Sequence, residues 1–262
     1  PVLGIMRAAD LDEAIALQNG VPYGLTGGIH SLDPDEVEHW LAHVQVGNAC
    51  INRHITGAIV RRQPFGGWKR SSVGPGAKAG GPDYVLQLGT WADRDGEAVD
   101  ASSSDRHWWE TYYAADHDPT GLFCEQNVLR YLPRPDVLVR IGSGADPAAA
   151  ARTVAAAVRA GVRPAVSAAD DAGASAGTRS GLSVAVESDE AFAARLAGHP
   201  FGRVRHVGAA PPVVRAAALE AEVDVIDAPV VSSGRLELRW YLREQAVSRT
   251  LHRFGNLLET PS

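Results

Sequence analysis

The chain has 262 residues, 45% of them hydrophobic, and a formal net charge of −6 with both signs interspersed. That length supports one or two domains with a real core. The charge offers no basic face for nucleic acid, and no apolar run reaches the roughly eighteen residues that a membrane span needs. The two cysteines, Cys50 and Cys124, exclude a disulfide scaffold and fit a reducing, cytoplasmic compartment.

Residues 2–6 form an apolar run that reads as a strand whose sheet partners lie upstream. Residues 10–18 place Asp10, Asp12 and Glu13 ahead of apolar residues at helical spacing, which predicts a capped helix closed by Gly20. Residues 23–31 read as strand. Asp33 and Pro34 supply the cap and first turn of a helix over 34–45. His39 and His43 stand four apart on it, but no third ligand follows at a sensible spacing, so they read as solvated or packing histidines. Cys50, between Ala49 and Ile51, reads as a small buried hydrophobe in a strand.

Residues 47–83 carry the densest punctuation of the chain. An apolar run ends at Asn52, a small-residue turn follows at Thr56-Gly57-Ala58, and Pro64-Phe65-Gly66-Gly67 leads into a loop rich in Gly and Pro. Such glycine density means positive φ or an approach closer than a Cβ allows, so this backbone is shaped to meet a ligand. The basic pairs Arg61-Arg62 and Lys69-Arg70 fit a solvated or salt-bridged loop. Residues 84–88 alternate like a strand, and 92–106 have the Asp, Ser, Gly and Glu composition of a linker or exposed loop.

Ile51-Asn52, Pro64-Phe65-Gly66-Gly67, Lys69, Ser71 and Gly74 resemble the closing segment of the aldehyde dehydrogenase superfamily. Thr56-Gly57-Ala58 before Gln63-Pro64-Phe65-Gly66-Gly67, with Lys78-Ala79-Gly80-Gly81-Pro82 after it, resembles the L-glutamate γ-semialdehyde (1-pyrroline-5-carboxylate) dehydrogenases. These occur alone or as the second half of bifunctional proline utilization A enzymes. The resemblance implies that Gly57 and Ala58 anchor the substrate's α-carboxylate and that Phe65 packs on its aliphatic part. It also implies NAD as cofactor, FAD if a proline dehydrogenase half is present, and a homo-oligomer.

Pro1 falls on the Pro of a Glu-x-Phe-Gly-Pro-Val run of that superfamily, so the chain is expected to be the C-terminal part of a longer enzyme. On that expectation the nucleophile, the general base and the dinucleotide site lie upstream in the same polypeptide. No catalytic, cofactor-binding or metal residue is then expected here, and the chain alone is expected to be inactive.

Residues 107–141 carry Trp108, Trp109, Tyr112, Tyr113 and Phe123, a cluster that reads as packing. Strands are expected at 129–132 and 137–141 around Pro133-Arg134-Pro135. Alternation continues with a helix at 147–160, a strand at 164–167, a loop at 168–181 and a strand at 182–186. A helix at 189–196, a strand at 204–207, a helix at 211–221 and a strand at 223–226 complete it. This rhythm predicts a parallel sheet covered by helices.

The first turn of that sheet, Gly142-Ser143-Gly144-Ala145-Asp146-Pro147, spoils a dinucleotide fingerprint. Pro147 stands at the third glycine, and Asp146 sets negative charge where a pyrophosphate would lie. Arg130-Tyr131-Leu132-Pro133-Arg134-Pro135 and the terminal stretch around Glu244-Gln245 and His252-Arg253-Phe254-Gly255 resemble parts of long proline utilization A enzymes. Residues 239–257 read as a surface-packing arm.

The expected fold is α/β: the end of an aldehyde dehydrogenase catalytic domain at 1–91, a linker at 92–106, and a Rossmann-like domain with a terminal arm at 107–262. The expected activity is NAD-dependent oxidation of L-glutamate γ-semialdehyde in proline catabolism, to which this chain brings substrate recognition. A non-catalytic assembly module and a small nucleotide-binding domain are the alternatives.

Overall fold

A computed structural model describes residues 2–72, 74–94, 100–178, 181–198, 202–253 and 256–257. The early elements are α1 (Leu11–Asn19), β1 (Tyr23–Gly24), β2 (Thr26–Ile29), α2 (Pro34–His43), β3 (Asn48–Ile51) and β4 (Trp68–Lys69). The middle of the chain forms α3 (Ala101–Trp108), which runs into a π-helical turn at Trp109–Tyr113, then β5 (Glu125–Pro133). An alternating series follows: β6 (Val137–Ile141), α4 (Pro147–Arg159), β7 (Ala165–Ala168), α5 (Asp171–Thr178), β8 (Val184–Val186), α6 (Asp189–Leu196), β9 (Arg203–Val207), α7 (Pro212–Glu220) and β10 (Asp224–Ile226). The short helix α8 (Gly234–Glu237) precedes β11 (Leu242–Thr250).

These elements build two compact units. The first gathers Pro1–Val85, Asp116–Arg130 and Glu244–Ser262, and the second gathers Leu86–Ala115 and Tyr131–Arg243. This differs from the linear succession of 1–91, 92–106 and 107–262. The chain returns twice to the first unit, because β5 and β11 complete the sheet that β2 and β3 begin. Strand pairings between such distant segments leave no trace in local composition.

In the first unit the sheet order is β2-β3-β11-β5. β3 runs parallel to β2, with Cys50 opposite Gly28, and parallel to β11, with Cys50 opposite Ser248. The core beneath it is formed by Ile15, Val37, Trp40, Leu41, Val46, Ala49, Ile51, Val128 and Val247. Asp10 caps α1 by accepting from the Glu13 amide, and Asp33 caps α2 by accepting from Asp35 and Glu36.

Several sequence expectations change here. Residues 2–6 are irregular and exposed rather than strand. The strand over 48–51 lies between β2 and β11. Residues 242–250 are therefore a buried interior strand and not a surface arm. Phe123 is 80% exposed and leaves the aromatic cluster. Phe254 and Gly255 of the terminal motif lie outside the described residues.

The second unit contains a five-stranded sheet in the order β10-β9-β6-β7-β8, every neighbouring pair parallel, as the alternation predicts. Its core includes Leu138, Phe192, Leu196, Val204, Val214 and Ala218. The expected loop at 168–181 holds α5. Asp170 accepts from the Gly173 amide at 2.7 Å, and a Cβ on Gly173 would come within 2.9 Å of Ile141. The glycine that argues against helix is what lets this helix lie on the sheet.

The expected linker holds α3. Its Ser-rich start is a poor helix former, but Asp100 accepts from the Ser102 amide and the Ser103 hydroxyl. Residues 95–99 of that expected linker lie outside the described residues. Residues 85–88 form a 3-10 turn rather than a strand, with Val85 and Leu88 exposed. Alternation makes a strand only where a sheet edge receives it.

Candidate functional site

The end of β3 is where the chain turns toward a cleft. Asn52 is left-handed at φ 55°, a conformation Asn tolerates. Its side-chain oxygen accepts from the Ser31 amide at 3.0 Å, and its amide nitrogen donates to the Ser31 carbonyl at 2.8 Å. Beyond it, Gly57 takes φ 81°, which a residue with a Cβ rarely adopts. The backbone N–H groups of Thr56, Gly57 and Ala58 donate to no acceptor among the described residues. Three successive backbone donors are thereby left for an anion to take.

That turn borders a small cleft open to solvent. Ile55, Thr56 and Ala58 line it together with Asn48, Cys50, Arg53, Gln63, Phe65 and Ser248. Its walls are held by buried polar groups that satisfy one another. Gln63 donates to Asn127 Oδ1 at 2.6 Å and accepts from the Ile59 amide at 2.7 Å. Ser248 on β11 donates to the same Asn127 oxygen at 3.2 Å. Asn48 donates to the Pro64 carbonyl at 3.1 Å and accepts from the Gly66 amide at 3.2 Å.

Phe65 is 39% exposed, yet its backbone is fixed. It exchanges two hydrogen bonds with Ala79, at 2.9 and 3.0 Å. Gly66 packs so tightly beneath Gly47 that a Cβ on Gly47 would meet the Gly66 carbonyl at 2.1 Å. The fully buried Lys78 donates its ammonium to that carbonyl and to Asn48 Oδ1. Its backbone N–H donates to Glu244 Oε2 at 2.8 Å, and the Trp68 indole N–H donates to the Glu244 carbonyl at 2.8 Å.

Burial pushes the Lys78 amine down to about 7, with the Glu244 charge opposing that shift. Burial pushes the Glu244 carboxyl up to about 8, reinforced by the neighbouring Asp83 carboxylate and opposed by the Lys78 backbone N–H and ammonium. Cys50 is buried, and burial raises its thiol against the opposing charge of Arg53. That environment suits a lining side chain and not a nucleophile.

Of the residues singled out from sequence, Ala58 and Phe65 line one cleft. Gly57 shapes the turn between Thr56 and Ala58 without being part of the lining. Arg53, Asn48, Lys78 and the Glu244 strand were missed. Lys78 gave one usable signal, a lone cation inside a run of Ala and Gly that offers no reason for solvation. His39 bonds Asp12 at 2.6 Å, and its ring lies 4.5 Å from that of His43. Among the described residues no group of three or more His, Cys, Asp or Glu is placed to hold a metal.

The Gly142–Pro147 turn of the second unit has its own occupants. Asp146 accepts from the Ala148 and Ala149 amides at 3.1 and 3.2 Å. Asp170 accepts from the Gly144 amide at 3.2 Å and the Ser143 hydroxyl at 3.3 Å. Two carboxylates thus take the donors that a pyrophosphate would need, so this turn does not fit a dinucleotide.

Residues 1–90 match the profile of the aldehyde dehydrogenase family. They are similar to an aldehyde dehydrogenase segment. A stretch of 85 residues is 47% identical to the 1-pyrroline-5-carboxylate dehydrogenases of Bacillus thuringiensis (strain Al Hakam) and Bacillus cereus (strain AH187), covering 32% of this chain and 16% of those proteins. The structure of Proline Utilization A (PutA) from Corynebacterium freiburgense matches 98% of this chain at 43% identity with a TM-score of 0.79. The chain spans 26% of that protein's length. Similarity to a proline utilization A enzyme therefore extends past the aldehyde dehydrogenase segment, through the second unit and β11.

Proposed function

We propose that this chain forms the substrate-recognition end of an NAD-dependent L-glutamate γ-semialdehyde dehydrogenase that acts in proline catabolism. The observation that carries this reading is the turn at 56–58, with three amides that find no acceptor among the described residues and a left-handed glycine, bordering a cleft that also holds Phe65. The match of residues 1–90 to the aldehyde dehydrogenase family and the similarity of an 85-residue stretch to 1-pyrroline-5-carboxylate dehydrogenases support it.

In this reading the amides of Gly57 and Ala58 hold the α-carboxylate by charge-assisted hydrogen bonds. Phe65 lies along the methylenes, which are apolar and gain from contact with the ring. Fixing the carboxylate and the methylenes presents the aldehyde carbon in one orientation. The remainder of the active site, including the thiolate nucleophile and the residues that hold NAD, belongs to other parts of the polypeptide. NAD accepts the hydride in the overall reaction. No step of the chemistry is assigned to residues 1–262, since the Gly142 turn does not fit a dinucleotide.

The test is a coupled pair of assays. The full-length polypeptide, given NAD and L-glutamate γ-semialdehyde, is expected to produce NADH, and the 262-residue chain by itself is expected to produce none. Absence of turnover in the full-length protein, or turnover by this chain alone, would overturn the reading.

A further inference from the structure

Arg53 is the one charged residue among the described residues that line the cleft. Its side chain is only 13% exposed and is oriented by an ion pair, Nη1 to Glu125 Oε2 at 3.1 Å. Among the described residues its Nε and Nη2 find no acceptor. These two nitrogens form the side-on edge of the guanidinium, the edge that matches both oxygens of a carboxylate. The pairing with Glu125 therefore orients the guanidinium and leaves free the part best suited to an anion.

The local charge favours the same ligand. Glu125 also accepts from Arg62 Nη1 at 3.1 Å, so two guanidiniums share one carboxylate and one positive charge stays uncompensated. Arg62 is more exposed, at 42%, and not part of the lining, which leaves Arg53 as the cation that a bound molecule meets. A largely desolvated cation attracts an anion more strongly than one on the open surface.

We infer that Arg53 is a specificity-determining residue that binds the substrate carboxylate through its Nε–Nη2 edge, opposite the amides of residues 56–58, so that the cleft selects anionic aldehydes over neutral ones. This inference rests on the reading of the cleft as an aldehyde site. Glu125 acts as a positioning residue for the guanidinium.

The experiment uses the full-length enzyme with Arg53→Gln and Arg53→Lys, and has two arms. Turnover is compared for L-glutamate γ-semialdehyde and for pentanal, an aldehyde of equal chain length without a carboxylate. In R53Q the KM for the semialdehyde should rise about tenfold or more, while kcat/KM for pentanal changes less than about twofold. R53K, which keeps the charge but not the fork, should recover part of the loss. The second arm measures glutarate binding by calorimetry, expected in the wild type and weakened about tenfold or more in R53Q.

Equal losses for both aldehydes, or no change for either, would overturn the role of Arg53 while leaving the dehydrogenase reading in place. Glutarate bound equally by wild type and R53Q would also sink it. If the wild type binds glutarate through Arg53 but does not oxidise the semialdehyde, the dehydrogenase reading fails and the carboxylate site stands.

Discussion

The backbone N–H of Lys78 donates to the carboxylate of Glu244 at 2.8 Å, across 166 positions of sequence. Through that bond β11 holds the Gly-rich loop, whose other contacts run to Asn48, Gly66 and Phe65. A cleft built by residues 48–65 thus depends on a strand near the far end of the chain. The buried pair is also titratable, so the same contact links the cleft to pH.

The sign of that link follows from the two shifts. Glu244 is raised, so the folded chain keeps a proton that the unfolded chain loses, and stability falls as pH rises from the ordinary glutamate range toward about 8. Lys78 is lowered, so the folded chain sheds a proton that the unfolded chain keeps, and stability recovers as pH rises from about 7 toward the ordinary lysine range. The pair therefore contributes a dip centred between pH 7 and 8. Urea unfolding of the full-length protein across pH 5–10 should show it, and Lys78→Met with Glu244→Gln should flatten it. A profile unchanged by the double substitution would refute the assignment.

A buried ion pair makes a stability prediction in the other unit. Arg205 and Glu237 are both fully buried, joined at 3.0 and 3.1 Å, and Glu237 also accepts from the Tyr241 hydroxyl at 3.0 Å. Glu237→Ala would leave a guanidinium buried without its carboxylate and should cost about 3–5 kcal/mol. Glu237→Gln keeps an acceptor and should cost less. Chemical denaturation of the two variants checks the order, and equal losses would mean that packing rather than charge compensation matters there.

Much of the fold was legible because its signals are local. Asp10, Asp33 and Asp146 announce helix starts through short side chains that accept from amides two or three residues on. Val137, Leu138, Val139 and Ile141 read as an apolar run because every residue of β6 is buried. The 56–58 turn was legible through Gly57, whose conformation restricts what can stand there. What stayed hidden is non-local. Nothing in residues 242–250 states that they pair with β3, and so the buried role of Glu244 and the return of the chain to its first unit were out of reach. Arg53 was hidden for a related reason, since its partner Glu125 stands 72 residues away.

Hydrogen exchange should separate these levels. Amides of β3, flanked by β2 and β11, should be among the most protected of the first unit, whereas those of residues 2–6, which are irregular and exposed, should exchange at nearly the free rate. Strong protection at residues 2–6 in the 262-residue chain would mean that this segment pairs with something the structure does not show.

The turn itself is tested by Gly57→Val. The space is permissive: a Cβ at Gly57 would meet only His54 Nε2, at an ordinary 3.5 Å. Any penalty therefore comes from the φ of 81°, which a β-branched residue resists, and not from a clash. Relaxing that angle would swing the Gly57 and Ala58 amides away from the cleft. Loss of one charge-assisted hydrogen bond costs about 1.5–3 kcal/mol, so kcat/KM for L-glutamate γ-semialdehyde in the full-length enzyme should fall at least about tenfold. Pentanal has no carboxylate to lose and should change little. Gly57→Ala, with less steric demand, should fall between wild type and valine. If both aldehydes lose the same factor, the turn serves folding alone and Gly57 does not shape a carboxylate anchor.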